Sequence, residues 1–293
     1  MMTKSFLRRS TKRVVPGRVL DSVVRPAVRG VLSAAFGARG YKISIGGQGV
    51  FRMSPDFVFR GWEDFGTRHN SGFAQCIEAC TGKSVFIDVG AHIGLYSLPA
   101  STSLWPGGRV IAFEPSEGNY RYLLKHIAYN GIDNIQAHQL VVGDVDRDSV
   151  LFYEHVVASS PLGSIIERKK KLTDRFDETR RRQISLDHFC AESNVAPDVI
   201  KVDTEGAELL VLKGARETLT RHSPMIFLSV HPSHLEALGQ STGELEDLLA
   251  ELDYEVRATD GSPVSGLGSG EYICVPRSTA AHPGTAPSRG GAG

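Results

Sequence analysis

Short, almost wholly apolar runs, each soon followed by a glycine, proline or acidic break and then by a helical pattern, limit most strongly what this chain can become. Residues 85–89 (VFIDV), 109–114 (RVIAFE), 135–142, 199–202 (VIKV) and 225–230 (MIFLSV) read as strands buried on both faces. Between the second and third, Ser116 reads as an N-cap and Gly131 as a C-terminal stop. Tyr120, Leu123, Leu124, Ile127 and Ala128 recur between them at helical spacing. Residues 207–219 read as one helix between the fourth and fifth strands. Ser241 and Glu244 form a capping-box pattern ahead of Leu245, Leu248, Leu249 and Leu252, and residues 254–258 and 272–275 read as closing strands. Such alternation implies an open α/β, doubly wound parallel sheet, which binds ligands at the carboxyl ends of its strands.

The 293 residues suffice for one large domain, and no apolar run approaches the roughly 18 residues of a membrane span. Basic and acidic residues number 33 each, which gives no whole-chain electrostatic case for nucleic acid. Residues 1–40 nevertheless hold nine basic residues against Asp21, leaving 24 basic and 32 acidic residues beyond, a net charge of −8. Residues 1–40 therefore read as a basic, partly helical arm: either a helix packed on the domain, or an arm touching an anionic membrane or a partner. Residues 154–185 form a highly charged break in the alternation. They read as a solvated insertion, although the basic runs 169–171 and 180–182 also suit a phosphate or acidic substrate. Residues 276–293, rich in Pro and Gly, read as a disordered tail. Cys76, Cys80, Cys190 and Cys274 show no zinc or redox spacing, so buried thiols in a reducing, cytoplasmic setting are expected.

The chemistry should lie at the strand ends. After the first strand stands Asp88-Val89-Gly90-Ala91-His92-Ile93-Gly94. Its glycines let backbone approach a ligand, but His92 occupies a position where a dinucleotide site has a further glycine. Asp88 suits a cationic amino group such as that of S-adenosylmethionine. Glu114, ending the second strand, suits a pair of ribose hydroxyls, as it would in an NAD enzyme. After the fourth strand come Asp203, Glu205 and Gly206. Glu205 is either functional or a cap on the following helix, where the dipole favours an acid.

The strings VFIDVGAHIG, VIAFEP, QLVVGD and VIKVDTEGAELLVLKGA, spread over about residues 83–260, resemble the FkbM family of S-adenosylmethionine-dependent methyltransferases. The resemblance implies a class I methyltransferase (Rossmann-like) domain over residues 41–275, with a seven-stranded sheet whose last strand is reversed. It implies O-methylation of a hydroxyl on a sugar, glycolipid or secondary metabolite. By position, Asp88, Gly90 and Gly94 would hold the methionine part, Glu114 the ribose, and Asp144 would lie near adenine. Asp203 and Glu205 would line the pocket beside the methyl group. Family members often end the fifth strand with an acid, whereas this chain has Ser229-Val230-His231-Pro232, so its acceptor chemistry is expected to differ.

Because a sulfonium is a good electrophile, alignment of the acceptor oxygen is the main task, assisted by a proton acceptor. His231 is the first candidate for that base, a capping role being the alternative, and Asp203 is the second. His92 reads as a cofactor-loop residue. Trp62 and Glu63 read as a packed aromatic with a surface acid, or as part of a lid. Asp203 and Glu205 offer two metal ligands, but no third is evident and no metal is expected. The expected partner is a small hydroxylated acceptor, not nucleic acid, and oligomeric state is open. The rival readings are an NAD-dependent oxidoreductase and a non-catalytic cofactor-binding module.

Overall fold

The computed structural model describes residues 24–67, 70–155 and 176–277. The sequence expectations for the first part of the arm, the middle of the charged break and nearly all of the C-terminal tail lie outside these residues. The chain begins with α1 (Arg25–Phe36), which has no buried residue and leaves Val28, Val31 and Phe36 exposed. A hairpin of β1 (Tyr41–Ser44) and β2 (Val50–Met53) follows, then α2 (Phe73–Ala79).

From there the expected alternation runs through β3 (Val85–Val89), α3 (Ser97–Ser103), β4 (Arg109–Phe113), α4 (Glu117–Asn130) and β5 (Ile135–His138). The predicted caps of α4 form: the Ser116 side chain accepts from Asn119 N, and Gly131 takes the left-handed conformation. The predicted elements differ in three places. The run 135–142 breaks after His138, and β6 (Val141–Val142) joins a second sheet with β7 (Arg147–His155) and β8 (Phe176–Ile184). Part of the presumed solvated insertion is thus a strand, paired antiparallel with β7 and parallel with β6. Arg181 of β8 donates to Pro115 O at 2.6 Å and pairs with Glu154 of β7 at 3.1 Å. Glu154 in turn accepts from Ser116 Oγ and Gly118 N, which pins this hairpin to the start of α4.

The chain continues through α5 (Leu186–Glu192), β9 (Val199–Val202), α6 (Glu208–Lys213), α7 (Arg216–His222) and β10 (Met225–Val230). The helix predicted over 207–219 is therefore two, parted at Gly214 and Ala215, where the Gly214 carbonyl accepts from Asp187 N. The described chain closes with α8 (Pro232–Ala237), α9 (Thr242–Glu251), β11 (Tyr254–Ala258) and β12 (Gly270–Pro276). The capping box of Ser241 and Glu244 starts α9 as predicted.

The main sheet has the order β5-β4-β3-β9-β10-β12-β11, parallel throughout except for β12, which is antiparallel to both neighbours. This is the reversed last strand implied by the resemblance. Alternation along the strands feeds two cores, one on each face. Val85, Ile87, Val89, Ile200 and Val202 face one; Phe86, Val110, Ala112 and Val199 face the other. Strand order reverses direction at β3, so a crevice opens beside its carboxyl end, between its connections to β4 and β9. All four cysteines are buried and free. Among the described residues no helix is long and apolar enough to cross a membrane.

Candidate active site

An open cleft of about 1060 Å³ lies at the carboxyl ends of β3, β4, β9 and β10. Gly90 and His92 from the loop after β3, Glu114 after β4, Asp203 and Glu205 after β9, and His231 after β10 all line it.

Beneath the wall lies a buried charge network. Period-two alternation turns Asp88 and Lys201 to the same face of the sheet, and the two are partners in the β3–β9 register. Lys201 Nζ stands 3.3 Å from Asp88 Oδ1 and 3.8 Å from Asp203 Oδ2, and donates to Gly90 O at 2.8 Å. It also lies 5.0 Å from the centre of the Tyr96 ring. Burial opposes the lysine's charge, but Asp88 and Asp203 outweigh burial and hold its pKa above the ordinary value. Asp88, with no exposed surface, spends its other oxygen on Ser97 Oγ at 2.6 Å. Asp88, expected to hold the methionine part of a cofactor, lies behind the cleft wall beside Lys201. Lys201, which the sequence argument passed over, joins Asp88, Asp203 and the Gly90 carbonyl in this network. The available signal was a lysine inside an otherwise apolar strand, VIKV.

The loop after β3 takes left-handed backbone at Gly90, His92 and Gly94. Gly90 has no room for a side chain, since a Cβ there would stand 2.0 Å from the Asp203 carbonyl oxygen. Gly94 packs against Leu123 and Leu98 rather than lining the cleft. His92 turns its amide to Glu114 Oε2 at 2.7 Å, while Glu114 Oε1 accepts from Ser116 N at 2.9 Å. Burial pushes the Glu114 carboxyl up, these amides, Asn119 and the Lys201 charge pull it down, and the balance is about 7. Asp144, expected near adenine, is not on the cleft wall. Its carboxylate accepts from Gln183 and pairs with Arg147 at 2.9 Å; burial would raise its pKa, but Arg147 and the local backbone amides hold it low.

Opposite Glu114 the cleft is acidic. Glu205, in left-handed backbone, turns its carboxylate toward two stacked imidazoles, Oε1 4.0 Å from His231 Nε2 and Oε2 3.4 Å from His234 Nδ1. Asp203 Oδ1 is 3.9 Å from the same His231 Nε2. Behind the ring, His231 Nδ1 meets Glu208 Oε1 at 2.9 Å, and Glu208, fully buried, also accepts from Gly206 N. Burial alone would lower the His231 pKa. The Glu208 hydrogen bond and the charges of Glu205, Glu208 and Asp203 push it up to about 9 instead. Without a ligand, the surrounding carboxylates thus favour the protonated ring, the form that donates rather than accepts. His234, Glu208 and Tyr96 complete the site without having been singled out in the sequence.

Of the two lid candidates, Trp62 lines the cleft and Glu63 does not. Trp62 Nε1 and Thr204 Oγ1, both at the wall, are buried with no hydrogen-bond partner. Two donors left unsatisfied at one cleft mark it as a place where a polar ligand gains binding.

The sequence profile of the methyltransferase FkbM domain matches residues 88–256. Methyltransferase 1 of Beauveria bassiana (strain ARSEF 2860) is 25% identical over 145 residues, which is 45% of this chain and 58% of the relative. Methyltransferase sdnD of Sordaria araneosa is 27% identical over 158 residues, 45% of this chain and 60% of its own. The chain thus spans about three fifths of each of these two curated relatives. Among solved structures, methyltransferase FkbM from Methylobacillus flagellatus KT is similar at a TM-score of 0.41 and 20% identity, over 66% of this chain and 44% of that one.

Proposed function

The chain belongs to the methyltransferase FkbM family, and on that premise we propose that it transfers a methyl group from S-adenosylmethionine to a hydroxyl of a small acceptor: a sugar, a glycolipid or a secondary metabolite. The observation that carries this reading is the pair of opposed walls. Glu114 lies buried at the end of β4, and the acidic group of Asp203 and Glu205 faces it across the cleft.

The residues present fit such a donor. A buried carboxylate at about pKa 7 lacks enough partners to hold its charge fully, and two vicinal hydroxyls would supply them. The left-handed loop at Gly90 and His92 brings backbone to the same wall. Bound there, S-adenosylmethionine supplies a methyl group on a positively charged sulfur.

What remains for the chain is orientation. Lys201 fixes the Gly90 carbonyl and Asp203 relative to each other, which sets the width of the cleft at its base. Protonated His231 donates rather than accepts at neutral pH, so among the side chains first expected to serve as base, Asp203 is left to receive the acceptor's proton.

Calorimetric titration with S-adenosylhomocysteine, with NAD as comparator, tests the reading. Binding that Glu114→Ala abolishes, followed by transfer of labelled methyl to a hydroxylated acceptor, is the expected result. A preference for NAD, or no binding to either, overturns it.

A further inference from the structure

We propose that Asp203, Glu205 and His231 bind a divalent cation of the magnesium and manganese class at the cleft wall. Each offers one ligand atom, and these atoms lie within 4.8 Å of one another. His231 Nε2 stands 3.9 Å from Asp203 Oδ1 and 4.0 Å from Glu205 Oε1, beyond hydrogen-bonding distance. An ion with bonds of about 2.1 Å holds ligands at right angles about 3.0 Å apart, so a shared ion would draw the two carboxylates about 1 Å closer to Nε2, into the gap that these groups now leave between them.

A second observation lies behind the ring. Glu208 has no exposed surface, yet its Oε1 takes His231 Nδ1 at 2.9 Å, and its Oε2 is buried with no hydrogen-bond partner. Burying a carboxylate in this half-satisfied state is costly. It is the arrangement that holds a metal-ligating histidine: the carboxylate orients the ring, and a cation at Nε2 displaces to solvent the proton that this nitrogen carries without it. Charge agrees. Asp203, Glu205 and Glu208 gather around one imidazole, and the Lys201 ammonium nearby is shared with Asp88. Two carboxylate oxygens and one imidazole nitrogen leave several coordination positions toward the open cleft. The sequence offered two of these ligands, and the fold supplies the third from the end of β10.

The role of the ion rests on the O-methylation reading; its binding does not. Coordinated to the ion, the acceptor hydroxyl becomes more acidic and loses its proton to water in the cleft. Its oxygen lone pair then forms the new carbon–oxygen bond, while the electron pair of the methyl–sulfur bond leaves with sulfur. With the cation bound, Asp203 serves as its ligand, and water rather than Asp203 takes the acceptor's proton.

The test is titration of the full-length, chelator-treated protein with Mn²⁺, followed by loss of the free-ion electron paramagnetic resonance signal. The same samples are melted by circular dichroism and titrated with S-adenosylhomocysteine. A saturable site is expected, weakened at least about tenfold by Asp203→Asn, Glu205→Gln or His231→Gln, and about 10–100-fold by Glu208→Gln, which leaves all three ligands in place. If His231→Gln does not fold, the two carboxylate variants decide. The cation site is overturned by non-saturable binding, or by unchanged binding in the combined Asp203→Asn and Glu205→Gln variant. S-adenosylhomocysteine binding without Mn²⁺ binding removes the cation alone; Mn²⁺ binding without S-adenosylhomocysteine binding removes the methyl-transfer reading and leaves the cation site.

Discussion

Asp88 and Lys201 face each other from neighbouring parallel strands, 3.3 Å apart and almost wholly shielded from water, and the same ammonium reaches the Gly90 carbonyl. A buried ion pair of this kind adds little net stability over an apolar pair, but loss of one partner is severe because the other is left charged in a medium that cannot solvate it.

Lys201→Met should therefore cost about 3–5 kcal/mol in urea unfolding, by the usual penalty for stranding a buried charge. Adding Asp88→Asn should recover part of the loss, since the stranded charge is then removed. A single-variant loss below about 1 kcal/mol, or a double variant no better than Lys201→Met, would show that the pair is not coupled as described.

Glu114 makes ligand affinity depend on pH near neutrality. Its folded pKa is raised to about 7, so the folded chain holds this proton more tightly than the unfolded one. The resulting stability is present below the unfolded value and is lost as pH rises through about 7. A ligand whose hydroxyls donate to the carboxylate favours the charged form, so the sign for binding is opposite. S-adenosylhomocysteine should bind more tightly at pH 8 than at pH 6, and Glu114→Gln should flatten that profile; a flat wild-type profile would remove Glu114 from the site.

Much of the sheet was legible because its signals are local. Apolar runs of strand length, the Ser116 cap, Gly131 and the Ser241–Glu244 box each fix an element within a few residues of themselves. The resemblance located the reversed strand and the cleft-lining acids. What stayed hidden depends on partners distant in sequence. Nothing near Lys201 says that Asp88 will stand beside it, and nothing near His231 says that Glu208 and Glu205 will hold its proton on. Likewise β8 reads as charged surface. Its strand character comes from pairing with β7 and from Arg181, which reaches the Pro115 carbonyl and Glu154 at the start of α4. Asp144 misled for the opposite reason, because a neighbour three residues on, Arg147, takes its carboxylate.

Gly90→Ala should damage both stability and binding. The position has φ +79°, and a Cβ there meets the Asp203 carbonyl oxygen at 2.0 Å, a backbone atom that moves only if the end of β9 moves. Conformational strain and displacement together should cost about 3 kcal/mol or more. Gly82 is the control: its φ is +70° but nothing lies within 4 Å of a Cβ, so Gly82→Ala should cost only about 1 kcal/mol. Equal losses in the two variants would mean that backbone conformation alone, and not the approach of β3 to β9, constrains Gly90.

His126 ties the loop after β3 to the end of the N-terminal hairpin and should make that junction sensitive to acid. Its Nε2 accepts from Ser54 N at 3.0 Å, so the proton of the neutral ring sits on Nδ1, which donates to Ile93 O at 2.8 Å. Burial lowers its pKa to about 4, against the weaker upward pull of the Ile93 carbonyl. The folded chain therefore resists a proton that the unfolded chain accepts. The contribution is complete above about pH 6.5 and is lost as pH falls toward 4, amounting to about 3 kcal/mol at the acid end. Glu114 acts in the opposite sense over part of that window, so the wild-type stability curve alone does not isolate the histidine. The difference between wild type and His126→Gln does: urea unfolding should show the wild type's advantage shrinking steadily from pH 7 to pH 4, whereas a constant difference would mean that His126 contributes only its packing and hydrogen bonds.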